Sequence, residues 1–164
     1  MKKWSTSIPL LAVAFFPWPE FMKVHYAEIK DGEKIEAVVS ESCEKSGEAG
    51  LIQLEVAKTE PFQRKGLSNR PLPLKKNAGM IFIFQPKRIG EIWMKKTLIP
   101  LQLVHVVPEG KVLQIQEMPV EKNPEHPTKI YRAWPEVDAV LELKPGRLPP
   151  SDIGKQFCVR RVAP

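Results

Sequence analysis

Histidine and cysteine are scarce in this chain, and that scarcity removes whole classes of chemistry. Its 164 residues hold three histidines and two cysteines. His25, His105 and His126 lie far apart, with no i, i+4 spacing and no adjacent carboxylate, so a histidine-built metal centre has no support. Two thiols exclude a four-thiolate zinc site and a dense disulfide framework. No Gly-x-Ser-x-Gly elbow surrounds a serine, no glycine-rich phosphate loop follows a strand pattern, and no cofactor is implied. Long apolar runs are missing as well. The N-terminal run Ile8 to Phe16 falls far short of the roughly 20 residues that a membrane-spanning helix needs.

What is present begins with proline, 17 residues, about twice the usual share. Proline is excluded from helix interiors and central strands, so the chain must turn often between short elements. The N-terminus has the outline of a secretory signal, Met-Lys-Lys followed by an apolar stretch. Pro9 and Pro17 interrupt or bound that stretch, and Ala27 is the candidate cleavage residue, with His25 a poor fit two positions before it. The chain divides into a leader over 1–27, a polar extension over 28–50 and a single β domain over 51–164. Export to the periplasm or cell exterior is expected, or a cytoplasmic location if the leader is not a signal. Cys43 and Cys158 are read as two buried, unpaired thiols, or as a disulfide if the chain is exported. Closing so long a loop would contribute about 4–5 kcal/mol in the chain-entropy model.

The net charge of +6 conceals an asymmetry. Glu28 to Glu60 holds nine acidic and four basic residues, whereas Pro61 to Pro100 holds nine basic residues and one acidic, Glu91. A basic stretch of this density points to an anionic partner, either a small ligand, a polymer or an acidic protein, or else to a solvated face. Nucleic acid is disfavoured, because aromatics do not interleave with the basic residues along the chain and no nucleic-acid-binding signature occurs.

Period-two alternation marks the strands. Ile52, Leu54 and Val56 alternate with Gln53 and Glu55, and Ala139, Leu141 and Leu143 with Glu142. Thr59, Pro61 and Gly66 bracket one or two helical turns as N-cap, first turn and stop. Further strands are predicted at Lys34–Ser40, Met80–Phe84, Gly90–Lys96, Leu101–Val107, Leu113–Gln116 and Gln156–Val162. Pro119 to Pro135 reads as a long surface loop. Seven or eight short strands imply an all-β fold, an antiparallel β-sandwich of jelly-roll type or a partly closed barrel.

Four blocks then occur in order: Gly66-Leu67-x-x-Arg70, Gly79-Met80-Ile81-Phe82-x-Phe84, Trp93-Met94-Lys95-x-Thr97-x-x-Pro100-Leu101 and Leu141-Glu142-Leu143-x-x-Gly146. Together they resemble the domain of unknown function 192 family of bacteria and archaea, over roughly Leu51 to Val162. The resemblance implies a compact β-sandwich of jelly-roll type, often behind an export leader, and no agreed activity. Three positions depart from the family pattern: Ser68 replaces the usual Met, Lys96 the usual Asn, and Gln102 the usual Asp. Gln102 cannot ionise and Lys96 adds a cation, so both departures favour anion binding over carboxylate chemistry.

The candidate ligand-binding residues are Arg70, Trp93, Lys95, Lys96, Thr97, Gln102 and Glu142. On a regular strand Trp93, Lys95 and Thr97 would share one face, offering a ring, an ammonium and a hydroxyl. Each has a structural alternative. Trp93 could fill core, Lys95 could lay its stem over the surface, and Arg70 could pair with Glu142. The leading functional reading is a non-catalytic binding or accessory domain for an anionic ligand or polymer. The alternatives are a small hydrolase or isomerase using Arg70, Lys95 and Glu142, and a partner-binding module.

Overall fold

The computed structural model describes the backbone of Met22–Lys23 and residues 26–162. The apolar run Ile8 to Phe16 and His25 lie outside the described residues. Ten strands are found among the described residues: β1 (Met22–Lys23), β2 (Lys34–Ser40), β3 (Ile52–Ala57), β4 (Ala78–Arg88), β5 (Glu91–Trp93), β6 (Leu101–Val106), β7 (Val112–Met118), β8 (Ile130–Arg132), β9 (Val137–Leu143) and β10 (Gln156–Arg161). One short helix, α1, covers Glu60–Lys65.

Eight strands form one sheet in the order β1-β10-β2-β3-β4-β9-β6-β7. All neighbours run antiparallel except β3 and β4, which are parallel and joined through α1. The sheet curls until its far edge returns to β10. There Phe157 N–H donates to Gly110 O at 2.7 Å, Gly154 N–H donates to Val112 O at 2.8 Å, and Lys111 bridges Gln156. The all-β expectation holds, in its partly closed barrel form. Curling removes most of the exposed sheet edge, which is otherwise a template for aggregation.

Alternation along the central strands creates two cores. Leu54, Val56, Ile81, Ile83, Leu141 and Leu143 point into the barrel with Ile35 and Phe157. Met80, Phe82, Phe84, Leu103 and Val140 point outwards, where Leu67, Met94, Ile99 and Tyr131 cover them. Burial on both faces explains why Met80–Phe84 is an unbroken apolar run. The strand β2, placed ahead of the core in the sequence reading, lies between β10 and β3, and its Ile35 and Ala37 are fully buried.

Local chemistry sets the boundaries. Gly66 ends α1 at φ 43° and donates its N–H to Phe62 O, a conformation open to glycine without steric cost. Thr59 occupies the N-cap, but its hydroxyl makes no capping bond. Asp31 takes over part of that task from across the turn, accepting from the N–H groups of Lys58 and Thr59 at 2.5 and 3.0 Å. Pairing of β4 with β9 breaks between Ile83 and Arg88, where Pro86 has no N–H to give the ladder.

The chain departs from expectation in three places. The strand predicted over Gly90–Lys96 ends at Trp93, because Met94 to Thr97 forms a turn closed by Thr97 N–H to Met94 O, with Lys96 at φ 56°. Alternation therefore does not continue through Lys95 and Thr97. The supposed loop Pro119–Pro135 contains β8, which pairs with β5 as a separate two-stranded ribbon. Cys43 and Cys158 are bonded, with Cα atoms 5.4 Å apart, rather than two free thiols. Cys158 is fully buried against Val38.

Candidate functional site

The β5–β8 ribbon lies over the outer core, and its two faces differ. Ile92 and Tyr131, directly paired, turn inwards and pack against the outward cluster of the barrel. Glu91 pairs with Arg132 and Trp93 with Ile130, and these four point away. Arg132 Nε donates to Glu91 Oε1 at 2.6 Å. Trp93 remains 59% exposed and Ile130 46% exposed. Exposure alternates along β8, so Ile130 and Arg132 lie on the same outward side. Trp134 is 75% exposed.

The Lys95 ammonium sits 5.9 Å from the centroid of the Trp93 ring, within the outer range of a cation–π contact. Lys95 has no carboxylate partner among the described residues. An open groove beside this pair is lined by Arg88, Ile89, Glu91, Ile92, Trp93 and Ile130. Arg88 stacks over Phe84 and donates to Gln63, again without a carboxylate. Trp93 and Arg88 thus line one hollow, and the Lys95 ammonium lies near the Trp93 ring. A planar anion would find an apolar surface and uncompensated positive charge there.

The remaining candidates fall elsewhere. Thr97 is buried, and its hydroxyl donates to Lys95 O at 3.3 Å, inside its own turn. Lys96 extends to Glu125, 3.5 Å away. Arg70 stands near the same turn, since Ser68 Oγ donates to Lys95 O and Asn69 N–H donates to Lys96 O, at 3.0 and 2.7 Å. Its guanidinium, however, is taken by Glu55 at 2.7 Å, not by Glu142. Gln102 belongs to another part of the barrel. Its amide donates to Glu117 Oε1 and Leu148 O and accepts from Leu148 N–H, fixing the turn between β9 and β10. An aspartate at that position could accept but not donate.

Glu142 is buried on the outer face of β9, opposite Met80 and Leu103, and its Oε2 has no partner. Burial pushes its carboxyl up to about 8, with the charge of Arg70 opposing. On the same face His105 is buried, and desolvation lowers its imidazole to about 4. Both are therefore neutral near pH 7. Among the described residues no group of three or more His, Cys, Asp or Glu could hold a metal ion. No helix there is long and apolar enough to cross a membrane.

Ile130 and Arg88 were missed as site residues in the sequence. Ile130 sits in a proline-rich stretch whose composition reads as loop, and its only signal was the short alternation Ile130-Tyr131-Arg132.

A partly closed barrel carrying a short ribbon on its outer face is an architecture shared with solved proteins. Residues 42–159 match the model of domain of unknown function 192 (DUF192; Uncharacterized ACR), and the chain belongs to this family. The structure is similar to that of a candidate transcription regulator from Sinorhizobium meliloti 1021, with TM-score 0.64 and 22% identity over 81% of this chain and 97% of that one. It is also similar to a protein of unknown function from Novosphingobium aromaticivorans DSM 12444, with TM-score 0.57 and 26% identity over 77% and 83% of the two chains. No curated protein matches the chain. These likenesses establish the fold and the family.

Proposed function

We propose that the protein is a non-catalytic, exported binding domain that takes an anionic ligand on the outward face of the β5–β8 ribbon. The observation that carries this reading is the pairing of an exposed Trp93 with Lys95, an ammonium that no described carboxylate neutralises. Three neighbouring cations lack that freedom, Arg70 being engaged by Glu55, Lys96 by Glu125 and Arg132 by Glu91, while Arg88 has no carboxylate partner among the described residues. Export is supported by the Cys43–Cys158 bond, since such bonds persist in oxidising compartments.

A hydrolase or isomerase using Arg70, Lys95 and Glu142 draws support only from the raised carboxyl of Glu142. Lys95 is exposed while Glu142 is buried, and no hydrogen bond joins any two of the three. Catalysis by the trio would need them to converge on one point. The binding reading is tested by tryptophan fluorescence titration against phosphate, simple carboxylates and sugar acids. At least one anion should quench with saturation, and Trp93→Ala and Lys95→Ala should each remove that signal. Saturable binding that survives both substitutions would refute the assignment.

A further inference from the structure

The folded domain begins ahead of Ala27, the candidate cleavage residue of the leader. The strand β1 lies along the side of β10 away from β2, with Met22 opposite Val159 and Lys23 opposite Cys158. Tyr26 is buried and belongs to the inner core of the barrel with Ile29 and Ile35. Lys58, just past the end of β3, donates its ammonium to three carbonyls of this stretch: Ala27 O at 2.9 Å, Tyr26 O at 3.0 Å and Ile29 O at 3.3 Å. Arg161 adds a guanidinium bond to Glu28 O and lies 3.8 Å from the Glu28 carboxylate. Two backbone bonds, Gly32 N–H to Val56 O and Val56 N–H to Glu33 O, then tie the exit of the segment to β3.

A cut after Ala27 would undo this arrangement. It would remove β1 and the core tyrosine, leaving a void in the inner core and open backbone along β10. Two of the three carbonyls held by Lys58 would go with them. Charge makes the cut worse. The new α-amino group would be the Glu28 nitrogen, which is bonded to the carbonyl carbon whose oxygen Lys58 now holds. That places it within about 5 Å of the Lys58 ammonium. An α-amino group is largely protonated at pH 7, so it would repel both Lys58 and the neighbouring Arg161.

We propose that Met22 to Ile29 is a strap retained by the mature protein, and that the maturation cut falls ahead of Met22. This rests on the exported reading of the protein and places the processing site that such a reading requires. The strap closes one end of the barrel with Tyr26 and is locked there by Lys58.

The test expresses the full chain in a Gram-negative bacterium and reads the intact mass of the unreduced protein released from the periplasm. That mass should include every residue from Met22 to Ile29. A mature chain starting anywhere from Lys23 to Glu28 would overturn the proposal. Recovery from the cytoplasm alone would overturn the exported reading, and the strap is then judged by thermal melting of the full chain. Tyr26→Ala should fail to fold or melt about 6 °C or more below the wild type. Lys58→Met, which keeps the apolar stem, should melt about 2 °C or more below it. Melting of both variants at the wild-type temperature would overturn the strap.

Discussion

Arg70 gives its hydrogen bond to Glu55, at 2.7 Å, and leaves Glu142 without one, although its charge is felt at the Glu142 carboxyl. Glu142 therefore folds as a protonated acid. Its ordinary value of 4.5 rises to about 8 on burial, so between these values the native state holds a proton that the unfolded chain releases. Stability from this group is complete below about pH 4.5 and lost as pH climbs through 8. His105, lowered to about 4, has the opposite sign and has finished contributing by its ordinary 6.5. Asp138, raised to about 6 by burial and then by Glu109, has largely finished as well. The interval from pH 6.5 to 8 is left to Glu142. Unfolding by urea should cost about 1–2 kcal/mol less at pH 8 than at pH 6.5, and Glu142→Gln should flatten the profile. A slope that persists in the variant would assign it to another group.

Gly79 opens the second family block, and its neighbours explain why nothing larger fits. A Cβ there would meet Leu143 Cδ2 at 2.5 Å and the backbone oxygen of Glu142 at 2.7 Å. The leucine can turn aside; the carbonyl of a central strand cannot. Gly79→Ala should lower stability by about 1–3 kcal/mol or block folding, measured by denaturant midpoint. A neutral result would mean that β4 and β9 separate more easily than their shared hydrogen bonds imply.

Lys96 occupies the left-handed region at φ 56°, which asparagine tolerates better than lysine. Lys96→Asn should raise stability by about 0.5–1 kcal/mol and the melting temperature by about 1–4 °C, although it gives up the exposed contact to Glu125. A lower melting temperature would show that this contact outweighs the backbone term.

The Cys43–Cys158 bond closes a loop with a sequence separation of 115. Unreduced protein should show no alkylatable thiol by mass spectrometry. Cys43→Ser with Cys158→Ser should lower the unfolding free energy by up to about 4–5 kcal/mol. Two alkylated thiols in the unreduced protein would contradict the pairing.

The fold was legible where pattern alone decides it. Alternation at Ile52–Val56 and Ala139–Leu143, and the apolar run Met80–Phe84, gave the strands that line both cores. The site was legible only in part. Trp93 and Lys95 do meet, but as the end of a strand and the start of a turn; a β period cannot foresee Lys96 in the left-handed region. Arg70 had two acidic partners available in sequence. The parallel pairing of β3 with β4 places Glu55 beside Met80, and that register, invisible from local spacing, brings Glu55 into reach. Ile130 stayed hidden because prolines on both sides mask a three-residue strand whose partner is 37 or more residues away.

Backbone and indole amide resonances followed during titration with galacturonate test the proposed surface most directly. The shifts should centre on the Trp93 indole, Lys95, Ile130 and Arg88, and should fade as salt is raised. Shifts gathered instead around Gln102 and Leu148, around Glu142, or nowhere at saturating ligand would contradict a binding face on the ribbon.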